Sequence, residues 1–146
     1  MNDRQELVRT VAEQRRADRG ALMPVLHEVH EELGYVTRED VVTIADVLNL
    51  SVAEVHGVVS FYHDFRRTPP LAHSVKVCRA EACQSVGAEE VWAAARQRFA
   101  DRGDVEVSQV FCFGNCALGP SVSFDGVLRG RVDDAVLAAQ QERWQA

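Results

Sequence analysis

Apolar positions in the first half of the chain recur at helical spacing. Leu7, Val8, Val11 and Ala12 form a stripe on an otherwise charged segment, which predicts a short amphipathic helix. Leu22, Val25, Leu26, Val29 and Leu33 predict a second helix, with Pro24 in its first turn and Gly34 just past its end. Thr37 is placed to cap a third helix that carries Val41, Ile44, Ala45 and Leu48. Ser51-Val52-Ala53-Glu54 reads as a capping box opening a fourth helix, along which Val52, Val55, Val58, Val59, Phe61, Tyr62 and Phe65 follow. Its apolar residues cover more than one face, so it is expected to be the central helix of a small bundle or, failing that, a helix packed on a second body. Arg66 to His73 has no periodicity and contains Pro69-Pro70, which marks a linker.

The period then changes. Ser74 to Val77 alternates and predicts a strand. Gly87 to Asp101 predicts a helix with Val91, Trp92, Ala95 and Phe99 on one side, and Gly103-Asp104 turns the chain into a second strand, Val105 to Phe111. A Gly-rich loop leads to a third strand, Ser121 to Phe124. Asp125-Gly126 is a two-residue hairpin turn into a fourth, Val127 to Arg131. Asp133 caps a last helix carrying Val136, Leu137 and Trp144. The order is β-α-β-β-β-α, whose βαβ start implies a parallel pair with a right-handed crossover. The expected class is α+β: a helical bundle over residues 1–68 and a thioredoxin-like α/β domain over residues 69–146.

Composition narrows the function. Lys and Arg number 16 against 22 Asp and Glu, a formal net charge of −6, which disfavours a phosphate-binding role and excludes nucleic acid as the expected partner. No apolar run approaches the roughly 18 residues of a membrane span. The residues from Met1 to Arg19 lack the apolar core of a secretory signal, so the expected location is the cytoplasm.

All four cysteines lie in the second half, as Cys78-x4-Cys83 and Cys112-x3-Cys116. Cys78 follows the first predicted strand and Cys112 the second. Neighbouring parallel strands end at the same sheet edge, so the two loops are expected to meet where open α/β sheets place their ligands. Four converging thiols in a reducing compartment suit a [2Fe–2S] cluster, a zinc ion or, least well, two disulfides. Neither pair is C-x2-C, the spacing of a zinc knuckle or a dithiol oxidoreductase. The small residues Ala80, Ala82, Gly114, Ala117 and Gly119 allow amide groups to approach the sulfurs. No Rossmann, P-loop or flavin signature accompanies them, so no turnover is expected from this chain alone. The class opposed to electron transfer is a zinc-stabilised interaction module.

Other polar residues fit plainer roles. His27 and His30 share a helical face near Glu31, His56 and His63 fall on the fourth helix, and Arg66-Arg67 precedes the linker. A solvated or interface face suits His27 and His30 better than a metal site, core or interface hydrogen bonding suits His56 and His63, and Arg66-Arg67 reads as solvated charge. Arg79 and Glu81 lie inside the first cysteine loop, as a surface ion pair or as groups that act on the bound centre. Asp125-Gly126 reads as turn chemistry alone.

The two cysteine pairs, with Gly114-Asn115-Cys116 and then Gly119-Pro120, resemble the thioredoxin-like [2Fe–2S] subunit of NADH:quinone oxidoreductases, the 24-kDa subunit family. The likeness runs upstream through Leu22 to Val36, Ile44-Ala45 and Val55 to Tyr62, and covers about residues 5 to 143. It implies one [2Fe–2S] cluster held by Cys78, Cys83, Cys112 and Cys116. It also implies a direct partner, an FMN- and NAD-binding flavoprotein (beta) subunit. Cys78 to Ser85 looks most like the gamma subunit of soluble NAD-dependent formate dehydrogenase, which adds a molybdenum-containing alpha subunit that oxidises formate. Respiratory complex I and the NAD-reducing hydrogenases are the alternatives. The stretch between the cysteine pairs is shorter than in complex I members.

Overall fold

A computed structural model describes residues 3–145, which divide at Pro70 and Leu71 into two compact units. In the first, α1 (Asp3–Arg15), α2 (Leu22–Leu33), α3 (Arg38–Leu48) and α4 (Val52–Phe61) enclose a core built on Val8, Val25, Leu26, Val29, Ile44 and Val55. Each such side chain removed from water contributes about 1.5–3 kcal/mol. The helix ends follow local chemistry. Gly34 closes α2 at φ 77°, a left-handed conformation that glycine adopts without steric cost. Thr37 and Asp40 form a reciprocal capping box on α3, and Ser51 and Glu54 do the same on α4.

Asp40 does more than cap. Its carboxylate is fully buried and accepts from Arg4 Nε at 3.1 Å and Arg4 Nη2 at 2.6 Å, from Gln5 Nε2 at 2.8 Å and from the Thr37 amide at 2.8 Å. The same guanidinium donates to the Tyr35 carbonyl at 2.7 Å. One buried charge thus joins α1, the α2–α3 loop and α3. Burial alone would raise the Asp40 pKa, but the Arg4 and Thr37 hydrogen bonds outweigh it and hold the group below its ordinary value.

Two expectations for this unit are corrected. The central helix is α3, packed against α1, α2 and α4; α4 buries only Val55 and Val59. The fourth helix stops at Phe61, Tyr62 turns extended, and Phe65 returns to the core from beyond it. Phe61 is therefore 73% exposed, with Val52 and Tyr62 also outside. His63 lies past the helix and, like His56, is exposed. His27 and His30 set their rings edge-on against Phe65 at 5.1 and 6.0 Å. Burial, with the nearby Arg66 charge, pushes the His30 pKa below its usual value.

The second unit is a four-stranded mixed sheet in the order β2-β1-β3-β4. β1 (His73–Cys78) pairs parallel with β2 (Val105–Val110) and antiparallel with β3 (Val122–Phe124), which pairs with β4 (Val127–Arg129). Between β1 and β2 lie a single turn, α5 (Glu81–Gln84), and α6 (Ala88–Arg98); α7 (Asp134–Arg143) ends the fold. Val75, Val77, Phe99, Val122, Phe124 and Leu137 form the core, and Trp144 stacks on His73 at 4.4 Å. This is the α+β class expected, with α5 an addition. Asp125 and Gly126 both take positive φ, as the tight hairpin requires. Asp125 is more than turn chemistry: its carboxylate accepts the Ser74 amide at 2.7 Å and lies 3.0 Å from His73 Nδ1, which ties the hairpin to the start of β1.

Gly130 is fixed by contact. A Cβ there would lie 2.6 Å from the Leu118 carbonyl oxygen and 2.8 Å from Leu118 Cβ. Gly130→Ala is expected to destabilise the sheet unit by about 1–3 kcal/mol, measured by urea unfolding followed at the tryptophans. Asp40→Ala is expected to cost the helical unit, which has no tryptophan, about 3 kcal/mol in urea unfolding followed by far-ultraviolet circular dichroism, because it leaves Arg4 without its buried partner. The depressed pKa sets the sign with pH. The Asp40 contribution is complete above the unfolded carboxylate pKa of about 3.9, and is lost as pH falls through the lower folded value. Acid titration of wild-type and Asp40→Ala chains should converge only in that range.

Candidate metal centre

The parallel pairing of β1 with β2 aligns Cys78 with Val110, so the two strands reach the sheet edge together. Cys78 is the last residue of β1. Its amide donates to the Ser121 carbonyl at 2.9 Å, and the Arg79 amide donates to the Val110 carbonyl at 2.8 Å. The chain then folds into α5, which buries Cys83 beside Cys78. On the neighbouring strand the chain leaves β2 through Phe111 into Cys112, whose φ of 84° is rare for a residue with a side chain. With Gly114 also at positive φ, this turn brings the Gly114 amide to 3.2 Å from Cys112 Sγ. Cys116 opens a 3-10 turn through Leu118, and its sulfur lies 3.6 Å from that of Cys112.

The two loops meet. The Ala80 amide, the Cys83 thiol and, from the second loop, the amides of Cys112 and Phe113 all favour the Cys78 thiolate. Burial works against ionisation of Cys78, but these donors outweigh it and lower its pKa. Burial dominates at Cys83 and raises its pKa; the neighbouring Cys78 adds to this, and the Ser121 amide and hydroxyl oppose it. Cys116 is raised first by its contact with Cys112 and then by that residue's charge, and Cys83 also acts on it. The structure thus joins Cys78 to Cys83, Cys112 to Cys116, and each pair to the other. Among the described residues no three Cys, His, Asp or Glu side chains are grouped to hold a single metal ion. The four sulfurs lie as two pairs, one buried and one exposed.

This donor set fits an iron–sulfur cluster. Four thiols suffice for the two irons of a [2Fe–2S] centre, and the surrounding amides supply hydrogen bonds to sulfur. Gly119 is one of the small residues the fit depends on: a Cβ there would stand 3.2 Å from Cys83 Sγ and 3.0 Å from Val86 Cγ2.

Arg79 does not pair with Glu81. It makes two hydrogen bonds to Glu89 of α6, at 2.8 and 2.9 Å, and one to Gln109 of β2 at 2.6 Å, with its guanidinium 5.2 Å from the Trp92 ring. Glu89 falls ten residues on, out of reach of local spacing, and only the α6–β1 packing brings it near. Sequence reasoning also passed over Ser121 and Asn115. A serine after Gly-Pro reads as loop polarity, yet Ser121 is almost fully buried behind Cys78 and Cys83.

Comparisons with known proteins agree with this geometry. The chain is 34% identical over 120 residues to the NADP-reducing hydrogenase subunit HndA of Solidesulfovibrio fructosivorans, covering 77% of this chain and 70% of that one. It is 32% identical over 111 residues to NADH-quinone oxidoreductase subunit 2 of Thermus thermophilus, covering 71% of this chain and 61% of that subunit. An NAD+-reducing [NiFe]-hydrogenase crystal structure in the H2-reduced state superposes with a TM-score of 0.70 at 21% identity, over 85% of this chain and 22% of that one, which supports the fold. The family described as thioredoxin-like [2Fe–2S] ferredoxin matches residues 8–143, and the chain belongs to that family, whose cofactor is one [2Fe–2S] cluster.

Proposed function

We propose that this chain is the [2Fe–2S] electron-transfer subunit of a multi-subunit NAD-linked oxidoreductase, with Cys78, Cys83, Cys112 and Cys116 as the cluster ligands. The observation that carries the reading is the release of two cysteine loops at one sheet edge, where β1 and β2 end in register at Cys78 and Val110. A cluster held there supplies a one-electron carrier, which suits a flavin that exchanges hydride with NAD and must hand on electrons singly. The chain's own residues hold the sulfurs, donate hydrogen bonds to them, and bury one pair while leaving the other at the surface.

The finer reading is the gamma subunit of an NAD-dependent formate dehydrogenase. It rests on the likeness of Cys78 to Ser85, and it implies a flavoprotein beta subunit with FMN and NAD and an alpha subunit with molybdenum. The relationship to HndA favours a second reading, the equivalent subunit of an NAD(P)-reducing hydrogenase. A place in respiratory complex I is the third, favoured by the quinone oxidoreductase relatives. The work is placed in the cytoplasm; among the described residues no helix is long and apolar enough to cross a membrane.

The helical unit, taken as residues 1–68, is read as a docking element for the flavoprotein subunit. It carries an open cavity of about 910 Å³ with Val36, Val41, Val52 and Val59 along it and Arg38 and Arg67 beside them. Among the described residues no Asp or Glu lines it, although the chain as a whole is acidic. An amphipathic segment with flanking carboxylates complements such a surface.

Purified chain should be reddish-brown, carry two irons and two sulfides, and lose its visible absorption to dithionite. A colourless chain with stoichiometric zinc would overturn the reading. Cys112→Ser should abolish or badly destabilise the cluster, and an unchanged cluster spectrum would overturn the ligand set. Isolation of the intact complex separates the finer readings. Molybdenum with formate-dependent NAD reduction identifies formate dehydrogenase, and nickel with hydrogen-dependent activity identifies the hydrogenase. Val52→Asp should reduce co-purification of the flavoprotein subunit with no loss of cluster; undiminished co-purification would remove the cavity from the interface.

A further inference from the structure

Arg79 follows Cys78 directly and is bonded through its amide, its carbonyl and its side chain. The amide donates to the Val110 carbonyl at 2.8 Å, which fixes the exit from β1 against the end of β2. The carbonyl accepts Gln84 Nε2 at 2.7 Å, and Gln84 follows Cys83, so the turn between the two buried cysteines is tied back to its own start. The guanidinium gives two hydrogen bonds to Glu89, at 2.9 and 2.8 Å, and a third to Gln109 at 2.6 Å. It also lies over the Trp92 ring, 5.2 Å from its centre. One residue thus joins β1, β2, the α5 turn and α6 at the edge where the cysteines stand.

Each half of the ion pair sits one residue from the buried cysteine cluster. Arg79 adjoins Cys78, and Glu89 adjoins Ala88, which is fully buried and packs with Cys78 and Cys83. The pair therefore closes the first turn of α6 over them. Exposed ion pairs ordinarily add little stability, and these side chains are 27% and 47% exposed. Geometry sets this one apart. A guanidinium is a planar fork that can give two donors to a carboxylate and a third to an amide oxygen while it stacks on an indole. A lysine ammonium is a point charge on a flexible stem and cannot hold all of these at once.

We propose that Arg79 is a positioning residue for the cluster: its guanidinium, spanning Glu89 of α6 and Gln109 of β2, holds the turn between Cys78 and Cys83 closed, and with Glu89 it places a matched pair of charges beside the buried ligands. The inference rests on Cys78 and Cys83 being cluster ligands, as proposed above. The fork and the charge act differently. Loss of the fork opens the buried ligands to solvent and to competing chelators. The charges act on the added electron: a nearby cation favours the more negative, reduced cluster, and a nearby anion opposes it. Paired, the two nearly cancel.

The test follows the cluster-loaded full chain by iron release to a chelator and by redox titration, the latter through the electron paramagnetic resonance signal of the reduced centre. Arg79→Gln is expected to release iron about tenfold faster than wild type. Its reduced-to-oxidised ratio at a fixed ambient potential should fall by about threefold, which for a one-electron couple is a shift of about 28 mV to more negative potential. Glu89→Gln should raise that ratio to a similar extent, and the double variant should titrate with wild type. Opposite shifts that cancel are the signature of the two charges, whereas a merely structural loosening moves both variants the same way. Arg79→Lys keeps the charge and loses the fork, so it should titrate close to wild type yet release iron as fast as Arg79→Gln. An Arg79→Lys variant that holds iron as wild type does overturns the proposal, as do single charge variants that leave the potential unmoved or shift it in one direction. If Arg79→Gln does not load, Arg79→Lys and Glu89→Gln decide by the same criteria. A wild-type chain without any [2Fe–2S] signal overturns the cluster assignment itself, which separates the two failures.

Discussion

Parallel pairing in register is the constraint on which the site depends. β1 and β2 run side by side from His73 and Val105 to Cys78 and Val110, so both strands release their loops at the same edge. An antiparallel pair would place those loops at opposite ends of the sheet. The crossover through α5 and α6 is what a parallel pair requires, and its helices bury the apolar face of β1. β3 then closes the third side of the edge, because the residue just before it, Ser121, takes the Cys78 amide. Four sulfurs separated by as many as 38 positions in sequence are neighbours because two strands end together.

Much of this was legible in the residues. Caps announced the helix starts at Thr37, Ser51 and Asp133, and each makes the expected side-chain hydrogen bond to an amide in the first turn. The cysteine spacings, read with the switch from helical to alternating period, placed Cys78 and Cys112 at strand ends. What escaped depends on contacts between distant residues. The Arg79–Glu89 pair exists because α6 packs on β1. The burial of Asp40 exists because Arg4 arrives from a separate helix. The α4 error has a local cause: a helix continued to Phe65 would be apolar all round, whereas the turn at Tyr62 divides the same residues between a short half-exposed helix and a returning aromatic.

The charge balance also changes its meaning. A formal −6 counts four neutral thiols; four thiolates with two ferric ions and two sulfides bring the oxidised chain to about −8, and an added electron makes it one unit more negative. Nearby negative charge disfavours reduction. Donors that meet the added charge at the sulfurs therefore matter more here than they would in a basic chain. The Gly114 amide lies 3.2 Å from Cys112 Sγ, and the Ala80, Cys112 and Phe113 amides favour the Cys78 thiolate.

The burial of the pairs decides where such donors are needed. Cys112 and Cys116 lie at the surface, where water can solvate developing charge. Cys78 and Cys83 are each only 2% exposed, so their charge has to be met by the protein itself or carry a desolvation cost of several kcal/mol per ion. The protein meets it mostly with backbone, which needs no particular side chain and leaves little trace in composition. Small residues at Ala80 and Gly119 matter because they pack against the buried cysteines without crowding them. Ser121, just before β3, joins two elements of the site through separate groups: its carbonyl takes the Cys78 amide at the strand edge, and its buried hydroxyl takes Asn115 Nδ2 of the second cysteine loop.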